Sequence, residues 1–294
     1  MPFQGEIAAV GAALVWAVAT WIYSQFSHRF SALQLNIVKG VIASGLMMCV
    51  IPFSMVGAPA ISADHFAILA ASGVIGIAIG DSAYFASLKR IGPNKTLLLE
   101  SLAPPLSGVL ALLALGSVLP LQGWLGVIVT TVAVSLTVFH SDGTPLDWRG
   151  VGFGLVASVC QASGVVISHY ALVAGDLSPL LGALIRLSMG VVFVMVMIGW
   201  IEKRPYQSMK ENLLQLGKDG FMWLLAAIFV GTFLALWLQQ VALKYANPAV
   251  AQSLIATSPL FMLIIYAAKG EPISKRGIVG TIVAVAGISL FFMK

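Results

Sequence analysis

Ten runs of eighteen or more mainly apolar residues, at 5–24, 32–51, 65–88, 97–115, 121–139, 150–170, 178–201, 219–243, 249–268 and 276–293, use up almost the whole chain. Each is long enough to cross a hydrocarbon core of about 30 Å as a helix. Only 9% of the 294 residues are charged and the mean hydropathy is +0.98, against roughly 25% charged residues in soluble domains. Backbone exposed to lipid must pair its own N–H and C=O groups, so the expectation is an all-α, polytopic membrane protein with short links at the interfaces. No stretch is left over for a soluble domain.

Ala17-Val18-Ala19 resembles a signal-peptide cleavage site, but MPFQGE before it carries Glu6 and no Lys or Arg, and the apolar run is too long. We read it as the first span. Cys49 and Cys160 fall inside predicted helices, which points to packing rather than a disulfide or a metal centre, and no cofactor is expected.

Charge position says more than the net +5. Arg29, Lys89, Arg90, Lys95, Arg149, Lys203, Arg204, Lys210, Lys218, Lys269, Lys275 and Arg276 fall on one side, and Lys244 and Lys294 on the other. Lys and Arg favour the cytoplasmic side, so both termini are expected outside a cell (inner or plasma) membrane, and lipid rather than nucleic acid accounts for the basic balance. In the longest link, Met209, Leu213 and Leu216 form one helical stripe beside lysines, expected to lie flat on the inner surface.

The sequence repeats itself. Lys89, Pro93 and Pro104 recur as Lys244, Pro248 and Pro259, an offset of 155; SALQLNIVKG matches SPLLGALIRL at 147, setting Lys39 against Arg186; Gly5 and Gly150 stand 145 apart. The extra residues fit in the long link between spans 7 and 8. Two repeats, 1–145 and 146–294, would each hold five spans, and an odd number turns the second copy upside down. Ten transmembrane helices as two inverted five-helix repeats would form a single transport domain with a midplane site, and one chain is enough to enclose it.

Three ionisable groups share one depth. Counted from the basic side at about 1.5 Å per residue, Glu100 lies about 7 Å deep, and Asp81 and Lys39 about 12 Å. Charges in lipid need partners or water, so Lys39 is expected to pair with Asp81, Glu100 or both, as a gate, a structural pair or a proton or substrate contact. Arg186 sits in the second half, with either an interfacial role or a carboxylate-binding one. Pro104 and Pro259 are expected to kink spans 4 and 9 symmetrically. Trp16 and its repeat mate Gln161 stand near the middle of spans 1 and 6, the expected substrate pocket, with Tyr84, Trp237, Gln240 and Ser253 as further candidates. Gly73, Gly76 and Gly80 in GVIGIAIG read as close helix contacts. Hydrolase chemistry lacks a GxSG-like serine with a histidine partner, and His28, His65, His140 and His169 are scattered, so neither an enzyme nor a receptor is the preferred reading.

YFASLKRIGPNKTLLLESLAPPLSGVLALL, its second copy LQQVALKYANPAVAQSLIATSPLFMLI, and GEPISKRGIVGTIVAVAGISL resemble the drug/metabolite transporter superfamily along essentially the whole chain. The GE-x-x-S pattern is present as Gly270, Glu271 and Ser274, whereas the first copy has Gly116 where the acid is expected. The resemblance is to the ten-helix branch that exports metabolites and amino acids, that of bacterial aromatic amino acid exporters. It implies amino acid export (phenylalanine, methionine, also threonine) by alternating access, with a multidrug or other metabolite transporter as the alternative. The small multidrug members use a first-helix glutamate; here only Glu6 at the end of that helix is on offer.

Overall fold

The computed structural model describes residues 3–54, 61–115, 121–138, 146–246, 248–271, 273 and 275–290. Gly116, His140, Ser274 and Lys294 fall outside them. The helices are α1 Gln4–Phe26, α2 Ala32–Ser54, α3 Ala63–Gly73, α4 Ser82–Glu100, α5 Ala103–Leu115, α6 Leu121–Val138, α7 Trp148–Ala174, α8 Pro179–Ile201, α9 Pro205–Leu214, α10 Gly217–Ile228, α11 Ala235–Tyr245, α12 Pro248–Ile255, α13 Ser258–Lys269 and α14 Lys275–Leu290. π-Helical segments Val74–Asp81 and Phe229–Leu234 join α3 to α4 and α10 to α11.

Among the described residues, seven stretches are long and apolar enough to cross a membrane, the longest being Ala63–Glu100 with 38 residues. As one rod that stretch would run about 57 Å, nearly two bilayer cores. Gly92 breaks it, at φ 77 and ψ 171, a left-handed conformation that a residue with a Cβ adopts only at a cost, and Pro93 restarts the helix with its ring in a first-turn position. The sequence suggested a link over 89–96; the structure folds it down to this single non-helical residue. The part after Gly92 continues through α5 as the fourth span, and α6 and α14, which pack along each other, supply the fifth and tenth.

Large apolar side chains cover the outside, with Phe53 91% and Trp200 88% exposed, while Lys39 and Arg186 are each 1% exposed. This reverses a soluble protein's arrangement and fits a hydrocarbon surround.

The halves make matching contacts. A Cβ on Gly5 would lie 2.5 Å from the Ala246 nitrogen, and one on Gly150 would lie 2.7 Å from Ile91 Cγ2; Ala246 and Ile91 are 155 apart, as Gly5 and Gly150 are 145 apart. α1 packs on α11 as α7 packs on α4, and both π-helical segments start at positions 155 apart, Val74 and Phe229. A π turn inserts one extra residue and rotates everything beyond it, a feature common near functional sites. In the first segment Asn36 Nδ2 donates to the Ile77 carbonyl at 2.8 Å and to Ser82 Oγ at 2.9 Å.

Where α7 begins, the Asp147 carboxylate caps the helix, accepting from the backbone N–H groups of Arg149 (2.9 Å) and Gly150 (3.1 Å) and from Arg90 Nη1 (2.9 Å). The Arg90 hydrogen bond holds this carboxyl below its ordinary pKa. Its stabilising contribution is therefore present above the usual carboxylate range and fades as pH falls through the lowered value. On α9 and just after it, Met209, Leu213 and Leu216 pack against the core, and Tyr206 donates to the Met195 carbonyl at 2.6 Å.

Candidate transport site

Between the halves, near mid-span, lies a cavity of about 40 Å³ lined by Ala12, Trp16, Lys39, Ile77, Asp81, Glu100, Gln161, Arg186, Gly231, Thr232, Ala235, Leu236, Gln239 and Ile255. Ten of these form five repeat pairs: Trp16 with Gln161, Lys39 with Arg186, Ile77 with Thr232, Asp81 with Leu236 and Glu100 with Ile255. The cavity thus draws on matching positions of both halves. Ligand sites commonly hold roughly 300–1,000 Å³, so the cavity is narrow for a small-molecule site.

Lys39 donates to Asp81, buried and resting over the Phe85 ring with Nζ 5.1 Å from its centroid. Glu100 takes a different partner: Trp16 Nε1 donates to its Oε2 at 2.8 Å. Asp81 and Glu100 are at similar depths, and the indole decides which acid is left for the lysine. Trp16 also lies 5.1 Å, centroid to centroid, from Tyr84, whose hydroxyl shares a 2.6 Å hydrogen bond with Thr20. Tyr84 is accordingly buried behind the wall and positions Trp16 without lining the cavity itself.

A second cavity of about 20 Å³ shares Glu100, Gln161 and Ile255 with the first. Pro104 and Pro259 lie in its wall, with Ser101, Gln252 and Ser258. The prolines do more than kink. α4 stops at Glu100 and α5 restarts at Ala103; α12 stops at Ile255 and α13 restarts at Ser258. Proline offers no N–H to the carbonyl four residues back, and hydroxyls cover the carbonyls around each break: Ser101 Oγ donates to Leu98 O (2.6 Å), Ser158 Oγ to Leu99 O (2.7 Å), Thr257 Oγ1 to Leu254 O (2.6 Å) and Ser258 Oγ to Ile255 O (2.7 Å). Broken backbone at membrane depth is tolerated on those terms.

Besides Tyr84, three further expected pocket residues lie outside the cavity walls. Gln240 Oε1 accepts from Ser168 Oγ at 2.8 Å, in the contact between α11 and α7. Trp237 packs on Phe233, with centroids 6.0 Å apart, and Ser253 is buried on α12 outside both cavity walls. Each stands one position beyond a residue that does line a cavity, Gln239, Leu236 and Gln252 respectively, and one step turns a side chain by about 100° around a helix. The repeat could have found Gln239, which is the mate of Tyr84 at offset 155. The glycines behave as expected: a Cβ on Gly73 would lie 2.1 Å from the Arg186 carbonyl oxygen, one on Gly76 3.1 Å from Arg186 Nη2 and one on Gly80 3.0 Å from Cys160 Cβ.

The sequence model of the EamA-like transporter family matches the chain twice, over residues 3–139 and 148–293. The chain belongs to the EamA-like transporter family. Membership of that family makes it a multi-pass membrane transporter of small molecules. One solved structure, described only as "Crystal structure of protein", superposes with a TM-score of 0.69 at 14% sequence identity, covering 99% of this chain and 96% of that one. At that identity the likeness concerns the fold. No curated protein sequence matches significantly. Within this family member, Gly270 of the GE pattern closes α13 in the left-handed conformation at φ 69, and Glu271 accepts from Trp21 Nε1 at 3.2 Å, tying the link between α13 and α14 to α1.

Proposed function

We propose that this EamA-like transporter is a secondary exporter of apolar amino acids, working by alternating access around the central cavity. One observation carries the reading: a mid-span cavity presents an indole (Trp16), a carboxylate not paired to a cation (Glu100), an amide (Gln161) and a guanidinium (Arg186) in one wall-to-wall space. A zwitterion with an apolar side chain meets a matching group at each end and an aromatic surface between. Two half-bundles rocking against each other would expose this space to one side at a time, with α4–α5 and α12–α13 bending at their breaks. The basic side is taken as cytoplasmic, so that export runs from that face. Lys39, Asp81, Glu100 and Arg186 form the charge network, and Pro104 and Pro259 its paired hinges.

Liposomes holding the purified protein and labelled phenylalanine, methionine or threonine are expected to lose label faster than protein-free ones. If none of the three leaves faster, the amino acid reading is wrong, and inhibition by lipophilic cations in its place would favour a multidrug transporter. Glu100→Gln removes a charged hydrogen-bond acceptor worth about 1.5–3 kcal/mol, so substrate affinity should fall roughly 10- to 100-fold. Repeating efflux across an imposed pH gradient, with and without this substitution, separates proton coupling through Glu100 from simple downhill flow: coupling makes the rate depend on the gradient in the wild type only.

A further inference from the structure

We infer that Arg186 is the docking point for an anionic group of the cargo, a single carboxylate, so that a free amine lacking one is not carried. The inference rests on the central cavity being the transport site, but not on the cargo being an amino acid.

Arg186 is 1% exposed, yet its Nε has no hydrogen-bond partner and Nη1 reaches only Gln239 Oε1, at 3.5 Å. Among the described residues no carboxylate forms an ion pair with it. Its repeat mate Lys39 has Asp81, but the residue matching Asp81 in the second half is Leu236, so one half kept a cation–acid pair and the other only the cation. A buried charge without a counterion is costly, and here it borders empty space. The backbone that carries the guanidinium is firmly placed: it abuts Gly73, where a Cβ would come within 2.1 Å of the Arg186 carbonyl oxygen, and Gly76 leaves room beside Nη2.

Charge balance selects the anion. The cavity holds two basic groups, Lys39 and Arg186, and two acidic ones, Asp81 and Glu100, with Asp81 already joined to Lys39. A zwitterion answers Arg186 and Glu100 together and leaves the sum unchanged, a monocarboxylate answers the arginine and adds one negative charge, and a phosphate dianion would add two. The guanidinium fork matches a carboxylate through two parallel hydrogen bonds.

The test is thermal unfolding of the full-length protein in detergent, with phenylalanine, phenylpropionate, phenethylamine, chloride or inorganic phosphate as probes. Phenylalanine and phenylpropionate are expected to raise the melting temperature of the wild type, and phenethylamine and the inorganic ions to leave it unchanged. Arg186→Met should melt a few degrees higher than wild type without any probe, because an uncompensated charge is gone, and should lose both carboxylate shifts. Gly76→Ala keeps the charge but crowds Nη2, and should weaken the carboxylate shifts at nearly unchanged unliganded stability. A lower unliganded melting temperature for Arg186→Met means an internal partner holds the arginine and overturns the inference. So does a shift by phenethylamine that survives Arg186→Met, or a phosphate or chloride shift larger than the carboxylate ones. If liposomes export no amino acid while phenylpropionate still stabilises the protein through Arg186, the amino acid reading fails and this one stands.

Discussion

Lys39→Met is expected to lower the unfolding free energy by roughly 3–5 kcal/mol, the cost of leaving a buried acid without its cation. Lys39 is 1% exposed and Asp81, its partner, 18%, so water reaches the carboxylate poorly. The second half shows how the position is filled without the acid: Leu236 stands at the place matching Asp81 in the same cavity wall. The double substitution Lys39→Met with Asp81→Leu should therefore recover most of the loss, because no charge remains to be paired. Denaturant unfolding in mixed micelles of the wild type, both single variants and the double variant measures the coupling energy directly. Strictly additive losses would show that the two side chains do not depend on each other, and the pair would then have no part in holding α2 against the π-helical segment Val74–Asp81.

Gly73→Val should be at least as damaging, by about 3 kcal/mol or more, through overpacking. A Cβ there would lie 2.1, 2.8 and 2.9 Å from the oxygen, carbon and Cα of Arg186, all backbone atoms that no rotamer change can move. The approach is mutual, since a Cβ on Gly190 would lie 2.9 Å from the Gly73 carbonyl oxygen. Valine therefore forces α3 and α8 apart and drags Arg186 from the cavity wall. Reduced folded yield after detergent extraction and a lower melting temperature are the expected readouts. Valine at Gly152, where a Cβ would meet nothing within 4 Å, is the control and should unfold like the wild type. Equal behaviour of the two variants would mean that the backbones are free to separate.

The spans and the repeat could be read from the sequence because bilayer thickness and backbone satisfaction demand long apolar helices, and because residues such as Pro104 and Pro259 survive in register. That register matches Trp16 with Gln161 and Lys39 with Arg186, and all four line the central cavity. Helix phase was not legible. Gln240, Trp237 and Ser253 carry suitable side chains, but their neighbours face the cavities, and the π-helical segment Phe229–Leu234 shifts the phase of everything after it in α11 by an amount that a 3.6-residue period does not contain. Depth could not choose between Asp81 and Glu100 as the partner of Lys39 either; the choice depends on a hydrogen bond from Trp16, 84 positions away from Glu100 in the chain. The replacement of the link at 89–96 by Gly92 alone likewise depends on how tightly α4 meets α7, where Gly154 would place a Cβ 2.4 Å from Leu99 Cδ1.

Gly5 against Ala246 and Gly150 against Ile91 are like seams at opposite ends of the bundle, whereas in the cavity wall tryptophan in one copy corresponds to glutamine in the other, aspartate to leucine and glutamate to isoleucine. Under the proposed function, assembly and cargo choice would fall to different residues. On that reading, a lineage or an engineer would rewrite the interior one position at a time and acquire a new preference while the joints that knit the two copies together stay as they were.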